Sequence, residues 1–228
     1  MRTSALEGHT ERRRATRGPY DGGVRSVCVF SGSSPGARPE YAALARRLGE
    51  EIAGRGLALV YGGASVGLMG VVADTVLARG GRVTGVIPQH LAVRDVAHEG
   101  LSDLRVTMTM HERKALMVEL SDGFVTLPGG YGTLDELAEI LTWSQLGLHA
   151  KPCGLLDAGD FYRLLLAFFD HAVEERFLRP EHRGLVLAGT EPARLLDEME
   201  AWSPRSSGGK WIDRDAALAS DAHGGTGS

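Results

Sequence analysis

One stretch of this chain combines an apolar strand, a glycine turn and the start of a helix: Phe124-Val125-Thr126-Leu127-Pro128-Gly129-Gly130-Tyr131-Gly132-Thr133-Leu134-Asp135-Glu136. Such a junction gathers free backbone N–H groups and the positive end of a helix dipole in one small concavity, which suits a phosphate group. Glu136 stands in the predicted first turn of that helix. The stretch therefore predicts a phosphate site with a carboxylate beside it.

Short apolar runs and longer amphipathic runs alternate over residues 24–202, which form the predicted working domain. The predicted strands are 24–30, 57–61, 82–87, 104–107, 123–127, 153–156 and 185–187. The predicted helices are 40–55, 67–79, 110–120, 133–148, 161–176 and 192–202. Apolar strands separated by helices indicate a doubly wound parallel sheet, so we expect a single α/β domain with a Rossmann-like fold.

Glycine-rich turns follow three of the predicted strands, at residues 31–36, 62–67 and 128–132. In a parallel sheet the carboxyl ends of the strands meet at one edge, where ligands bind. We therefore expect the three turns to form one composite pocket.

Composition and charge limit the class of protein. The 228 residues are 43% hydrophobic, which gives room for one sizeable core. A net charge of −4 is not the electrostatic pattern of a nucleic-acid-binding protein. No apolar run approaches the ~20 residues of a membrane span, and residues 1–23 are arginine-rich without an apolar signal core. We expect a cytoplasmic protein with disordered tails at 1–23 and 203–228.

The residues offer no pattern for a metal or a larger cofactor. Cys28 and Cys153 are isolated and lie in apolar runs, and no His/Asp cluster accompanies them. The dinucleotide pattern G-x-G-x-x-G and the P-loop pattern are both absent, which disfavours NAD binding and ATP hydrolysis. A mononucleotide with one phosphate anchor fits better, with no metal and no cofactor.

A serine hydrolase is an alternative because Gly63-Ala64-Ser65-Val66-Gly67 has the G-x-S-x-G spacing of a nucleophile elbow. The motif follows only the second predicted strand, which is early for a hydrolase sheet. The downstream histidines His149, His171 and His182 also stand in no convincing acid–histidine order. A simple glycine turn is the favoured interpretation.

Glu136 has two interpretations that the local sequence leaves open. With Thr133 it has the spacing of a capping box, in which the glutamate bonds back to the helix start. It also has the position of a catalyst beside a phosphate. Arg113 and Lys114 begin another predicted helix at the end where the dipole disfavours cations. A nearby anion, either the phosphate or Glu136, would offset that cost.

The helix after the glycine turn carries two apolar stripes, which indicates burial on two sides. The first contains Leu134, Leu137, Ala138, Leu141 and Leu148, and the second contains Ile140, Trp143 and Gly147. We expect one side to pack on the sheet and the other on a second copy, which predicts a homodimer.

Taken together, these motifs resemble those of the LOG ("lonely guy") family, the cytokinin riboside 5′-monophosphate phosphoribohydrolases. Residues 128–136 match the pattern P-G-G-x-G-T-x-x-E, and residues 110–117 resemble M-x-x-R-K-x-x-M. The resemblance spans roughly residues 24–187. It implies a homodimeric N-glycosyl hydrolase that converts an adenine-type nucleoside 5′-monophosphate to free base and ribose 5-phosphate. Older descriptions name such proteins lysine decarboxylases, but nothing here suggests a pyridoxal phosphate site.

The resemblance also implies roles for individual residues. The implied catalytic pair is Arg113 and Glu136. The implied substrate-binding residues are Asp95, Arg113, Lys114, Gly129, Gly130, Tyr131, Gly132, Thr133, Leu134, Asp135 and Thr142. Asp95 stands where the family usually has a longer glutamate. Two alternatives stay open: AMP as the main substrate, and a carrier that binds a nucleotide or pterin cofactor on the same scaffold without catalysis.

Overall fold

The computed structural model describes residues 24–92 and 97–203. Within these ranges a seven-stranded parallel sheet is flanked by helices on both faces, which confirms the predicted α/β Rossmann-like fold. The strands are β1 (Ser26–Phe30), β2 (Ala58–Tyr61), β3 (Val83–Pro88), β4 (Asp103–Thr107), β5 (Gly123–Thr126), β6 (Cys153–Leu156) and β7 (Val186–Gly189). The helices are α1 (Pro39–Gly54), α2 (Gly67–Ala78), α3 (Gln89–Leu91), α4 (Met110–Leu120), α5 (Tyr131–Gln145), α6 (Arg163–Glu174), α7 (Pro180–Arg183) and α8 (Pro192–Glu200).

The strand order, β4-β3-β2-β1-β5-β6-β7, contains one reversal of direction. The chain builds outward from β1 to β4 and then returns to place β5 on the other side of β1, where Phe30 and Thr126 are register partners. In an open parallel sheet such a reversal leaves a crevice beyond the carboxyl ends of the strands. The turns that follow β1 and β5 therefore flank the expected ligand site.

An apolar layer covers each face of the sheet because side chains alternate along every strand. Helices α1, α2 and α8 pack over one layer, which includes Val29 and Val125. Helices α4, α5 and α6 contribute to the other, which includes Cys28 and Phe124. Cys28 and Cys153 are both buried free thiols.

The predicted disordered tails, apart from Ser203, lie outside the described residues, so their disorder stays a prediction. None of the helices in the described ranges combines the length and the apolar character that a membrane-spanning segment needs.

Candidate active site

The three glycine turns meet at one edge of the sheet, as predicted. The amide of Gly32 donates to Pro128 O at 3.0 Å, and Gly32 O accepts from the amide of Leu68 at 3.0 Å. Gly67 has a φ of +60°, and a Cβ atom there would lie 2.3 Å from the carbonyl carbon of Ser33. Only glycine fits that position, because the turns after β1 and β2 pack backbone against backbone.

The turn between β5 and α5 ends in a helix start with no side-chain cap. Gly130 is the N-cap residue and Tyr131 the first helical residue, two positions earlier than predicted. Thr133 is therefore inside the first turn, and of the two interpretations of Glu136 the capping box with Thr133 is wrong. The first N–H groups of a helix have no partner within it, so an uncapped glycine-rich start is open to an anion. Gly129 gives this turn its tightness, since a Cβ there would lie 2.1 Å from Thr133 Oγ1.

Glu136 is paired with Arg113 instead of capping its own helix. Arg113 Nη1 donates to Glu136 Oε1 at 2.9 Å, and Arg113 Nε donates to Val86 O at 2.9 Å. Both residues are buried, with 8% and 9% of their surfaces exposed. Oε2 of Glu136 has no hydrogen-bond partner among the described residues. The structure thus fixes one oxygen of the carboxylate through Arg113 and leaves the other without a protein partner in the described ranges.

The environment makes the Glu136 carboxylate more basic than an ordinary one. Burial raises the pKa of Glu136, and the Arg113 guanidinium lowers it only in part. A carboxylate that holds a proton more strongly is also a stronger hydrogen-bond acceptor for a hydroxyl group or a water molecule. Perturbed carboxyl groups in a cleft are typical of functional sites.

Lys114, the neighbour of Arg113, lies in a second ion cluster. Its Nζ is 3.0 Å from Asp135 Oδ2 and 3.1 Å from Glu139 Oε2. Burial lowers the pKa of Lys114, but the two carboxylates more than reverse this, so the net shift is upward. The cluster joins α4 to α5 just outside the pair of Arg113 and Glu136.

A variant of the capping box occurs at the start of α4, where the glutamate bonds to the residue before the N-cap Thr109. Thr109 Oγ1 accepts from the amide of Glu112 at 3.1 Å, and Glu112 Oε2 accepts from the amide of Met108 at 2.8 Å. Sequence reasoning missed this box, although Thr109 and Glu112 have the required spacing. The glutamate carboxylate also offsets the cost of placing cations near a helix N-terminus.

Gly62 belongs to the turn at 62–67 that was expected to join the pocket, but sequence reasoning missed its contact with Arg113. It follows β2 directly, and a Cβ atom on it would lie 2.5 Å from Arg113 Nη2. The guanidinium of Arg113 therefore occupies space that any side chain at position 62 would take. The sequence signal for this contact was the glycine at position 62, the first residue of the turn at 62–67.

The other predicted site residues do not all reach the glycine turn. Thr142 Oγ1 donates to Ala138 O of its own helix. Thr142 lies eleven positions after Tyr131, or about 16 Å along the helix axis, so within one chain it does not reach the glycine turn. Its implied role in substrate binding stays a prediction. Leu134 lines an apolar groove between α5 and α6, and the side chain of Tyr131 is 94% exposed. Asp95 lies outside the described residues.

The structure gives little support to a serine nucleophile or a metal site. The non-glycine residues with positive φ in the described ranges are Asp160 and Arg176, so Ser65 lacks the strained backbone of a nucleophile elbow. His149 Nε2 bonds to Ile140 O at 2.8 Å, far from that role. Among residues 24–92 and 97–203, no group of three or more His, Cys, Asp or Glu side chains is placed to hold a metal ion.

Comparison with known proteins agrees with the motifs. A family profile described as "Possible lysine decarboxylase" matches residues 69–199. The probable cytokinin riboside 5′-monophosphate phosphoribohydrolase LOGL6 of Oryza sativa subsp. japonica is 48% identical over 181 residues, covering 79% of this chain and 72% of that protein. The cytokinin riboside 5′-monophosphate phosphoribohydrolase LOG3 of Arabidopsis thaliana is 45% identical over 180 residues, covering 79% and 84%.

Solved structures share the fold. The molybdenum cofactor binding protein from Rippkaea orientalis has a TM-score of 0.61 at 22% identity, covering 82% of this chain and 98% of that one. The molybdenum cofactor carrier protein from Chlamydomonas reinhardtii has a TM-score of 0.60 at 22% identity, covering 81% and 98%. At these identities the likeness extends to the fold alone.

The fold and the turn after β5 define a Rossmann-like α/β protein with a P-G-G-x-G-T-x-x-E site. Relatives that are 48% and 45% identical over 79% of the chain identify the family within this class. The chain belongs to the LOG family.

Proposed function

We propose that this protein hydrolyses the N-glycosidic bond of an adenine-type nucleoside 5′-monophosphate, such as a cytokinin riboside monophosphate, to free base and ribose 5-phosphate. The observation that carries the proposal is the buried pair of Arg113 and Glu136, which lies beside the uncapped start of α5. Relatives 45–48% identical to the chain carry this activity in their names.

The uncapped start of α5 supports a role in holding the 5′-phosphate. Backbone amides of residues 129–133 and the helix dipole supply positive charge there without a side-chain cation. Because the phosphate is remote from the bond that breaks, its binding energy serves to place the reacting carbon of the ribose. This accounts for a substrate that must carry a 5′-phosphate.

Glu136 supports the bond-breaking step itself. Cleavage of a glycosidic bond develops positive charge on the ribose, and a carboxylate stabilises that charge. Arg113 holds one oxygen of Glu136. The other oxygen would accept a hydrogen bond from a ribose hydroxyl or orient the attacking water. Arg113 keeps the carboxylate in position and compensates its charge in the buried site.

The test is base release from AMP and from isopentenyladenosine monophosphate by purified protein. We expect Glu136→Gln to lower kcat by about 10²–10³-fold, the usual cost of losing one charge-stabilising group. Glu139→Gln is the matched control, because Glu139 lies one turn further along α5 and pairs with Lys114. Wild-type turnover in Glu136→Gln would overturn the assignment.

The substrate preference and the carrier alternative are separated by the same assays. A panel of nucleoside monophosphates at equal concentration compares AMP with N6-modified adenine nucleotides. A carrier for a nucleotide or a pterin cofactor would bind its ligand and release no base. The likeness to molybdenum cofactor proteins extends to the fold and lends no support to that alternative.

A lysine-dependent decarboxylase is disfavoured by the lysines themselves. The chain has three, at positions 114, 151 and 210. Lys114 is held by two carboxylates, and Lys151 Nζ donates to Val118 O at 2.7 Å. Lys210 lies outside the described residues. Neither described lysine is placed as a free amine for a Schiff base.

We also propose a homodimer, because one apolar face is left open in the single chain. No residue of α6 is buried, and Leu164 and Phe168 are 69% and 62% exposed. A groove of about 440 Å³ between α5 and α6 continues this face, and Leu134 and Leu141 from the predicted stripe line it. Sedimentation of wild type and Phe168→Asp tests the proposal, with a dimer expected for the first and a monomer for the second.

A cytoplasmic location remains part of the proposal. The two cysteines are free and buried, which fits a reducing compartment. Cell fractionation with an antibody to the protein is the direct measurement.

A further inference from the structure

A buried tyrosine just before α6 holds the peptide bond that leads into the glycine turn. The Tyr162 hydroxyl donates a hydrogen bond of 2.7 Å to Leu127 O, the carbonyl directly before Pro128. The residue is 1% exposed, and its ring packs edge-to-face on Phe161 with ring centres 4.9 Å apart. The amide of Tyr162 donates to Asp157 Oδ1 at 3.2 Å. Backbone, ring and hydroxyl of Tyr162 are therefore all fixed.

The two peptide units around Pro128 are both anchored through their carbonyl groups. Leu127 O accepts from Tyr162, and Pro128 O accepts from the amide of Gly32 at 3.0 Å. The described residues contain no cis peptide bond, and a trans unit directs its N–H away from its C=O. The anchor at Pro128 therefore turns the Gly129 N–H away from the β1 turn. Since proline has no N–H, Leu127 O is the hydrogen-bonding group that fixes the preceding unit.

A second buried tyrosine lacks this function and provides a comparison. Tyr61, the last residue of β2, is 0% exposed, and its hydroxyl has no hydrogen-bond partner in the part of the chain that the structure describes. Both tyrosines are core residues at the carboxyl edge of the sheet. They differ in whether the hydroxyl holds the backbone of the glycine turn.

We propose that Tyr162 is a positioning residue for the 5′-phosphate of the substrate, acting through the Leu127 carbonyl. The inference rests on the proposed function, in which the turn after β5 binds that phosphate. Without the hydroxyl, Leu127 O is left unpaired in the interior, and the turn shifts until the carbonyl finds another donor. The displaced amides then bind phosphate less tightly. Arg113 and Glu136 keep their own hydrogen bond, so we expect the loss to fall mainly on phosphate binding and much less on kcat.

The experiment compares wild type with Tyr162→Phe and Tyr61→Phe. In Tyr162→Phe, the KM for AMP and the inhibition constant of ribose 5-phosphate should each rise about five- to tenfold, while kcat stays within about twofold. Tyr61→Phe should match wild type in all three constants. Replacing Tyr162 by 4-aminophenylalanine restores an N–H donor and should return both constants toward wild type.

Each outcome decides the inference. Unchanged constants in Tyr162→Phe, an equal rise in both tyrosine variants, or a fall in kcat alone would overturn it. If the wild type releases no base, the proposed function fails, and calorimetry with AMP and ribose 5-phosphate then tests the turn. Weaker binding in Tyr162→Phe alone supports the inference, and equal or absent binding overturns it. Should Tyr162→Phe fail to fold, the affinity of the 4-aminophenylalanine protein for ribose 5-phosphate decides. An affinity near that of wild type supports the inference, and a much weaker one overturns it.

Discussion

Two neighbouring ion pairs join α4 to α5, and they differ in their contact with water. The side chains of Arg113 and Glu136 are 10% and 11% exposed. Lys114 is 11% exposed, but its partner Asp135 is 61% exposed. Consecutive residues on a helix point about 100° apart, so two adjacent cations face different surroundings. One pair lies beside the glycine turns and the other lies at the surface of the helix junction.

The two pairs between α4 and α5 differ in the free energy that it costs to bury their charges. A buried pair must overcome the loss of water around both charges, and removal of one partner strands the other. An ion pair between solvent-exposed side chains stabilises a protein by roughly 1 kcal/mol or less, and Asp135 of the outer pair is exposed to water. The inner pair is thus poor as a source of stability and well placed for chemistry, while the outer pair serves mainly to join two helices.

The largest effect is expected from breaking the inner pair. Arg113→Met leaves Glu136 buried without its cation, so we expect about 3 kcal/mol less free energy of unfolding. We also expect kcat/KM to fall about 10³-fold, because the carboxylate loses its fixed position. Urea unfolding and base-release kinetics measure the two effects. Arg79→Met is the control, since Arg79 pairs with Glu50 in an exposed ion pair. Similar losses in both variants would remove the distinction between inner and outer pairs.

A smaller effect is expected when the inner pair is displaced without being removed. In Gly62→Ala the new Cβ would lie 2.5 Å from Arg113 Nη2, so the guanidinium must move. We expect kcat/KM to fall about 10–100-fold, as misplaced catalytic groups do. Gly54→Ala, where a Cβ meets nothing within 4 Å, is the control and should keep full activity. A fully active Gly62→Ala would show that the position of Arg113 is not critical.

The pH dependence of stability sharpens the same contrast. Burial raises the pKa of Glu136 above its ordinary value of 4.5, so the unfolded chain releases this proton at lower pH than the folded chain. The protonated Glu136 carboxyl contributes its full stabilisation below about pH 4.5, and this contribution is lost as the pH rises through the pKa of the folded state. The free energy of unfolding of wild type, relative to Glu136→Gln, should therefore fall from pH 4.5 upward and then level off. Urea titrations between pH 4 and 8 measure this difference, and a rise with pH would contradict it.

The smallest effect is expected at the outer pair. Lys114→Met should change the free energy of unfolding by less than about 1 kcal/mol, with kcat near that of wild type. A salt titration provides the control, because the small difference from wild type should shrink as salt screens the exposed carboxylate of Asp135. A loss of activity as large as that of Arg113→Met would show that Lys114 takes part in catalysis and would contradict the distinction between the inner and outer pairs.

The strands and most helices were predictable because buried elements show a pattern of apolar residues within a short window of sequence. Continuous apolar runs such as 123–127 and 153–156 correspond to β5 and β6 within one residue. The order of the strands has no such local pattern. That β5 lies between β1 and β6 depends on contacts between segments about 100 residues apart, which no window of sequence contains.

The site shows the same limit at the level of single residues. Thr109 with Glu112 and Thr133 with Glu136 share one spacing, yet the first pair caps a helix and the second does not. Gly130 already provides the helix start, and Arg113 from another helix takes the second glutamate. Local pattern gives the residue types of a site, but a partner 23 positions away decides their roles.

Gly32 has a consequence for how long the protein survives in a cell. Its N–H and C=O connect Pro128 and Leu68, so the phosphate cradle exists only when β1, β2 and β5 are all in place. A nucleotide then binds the completed sheet and no fragment of it. Mass action adds about 2.7 kcal/mol to the stability when the ligand is present at 100 times its Kd. Abundant substrate would thus slow proteolytic turnover of this chain, and starvation for it would shorten the half-life.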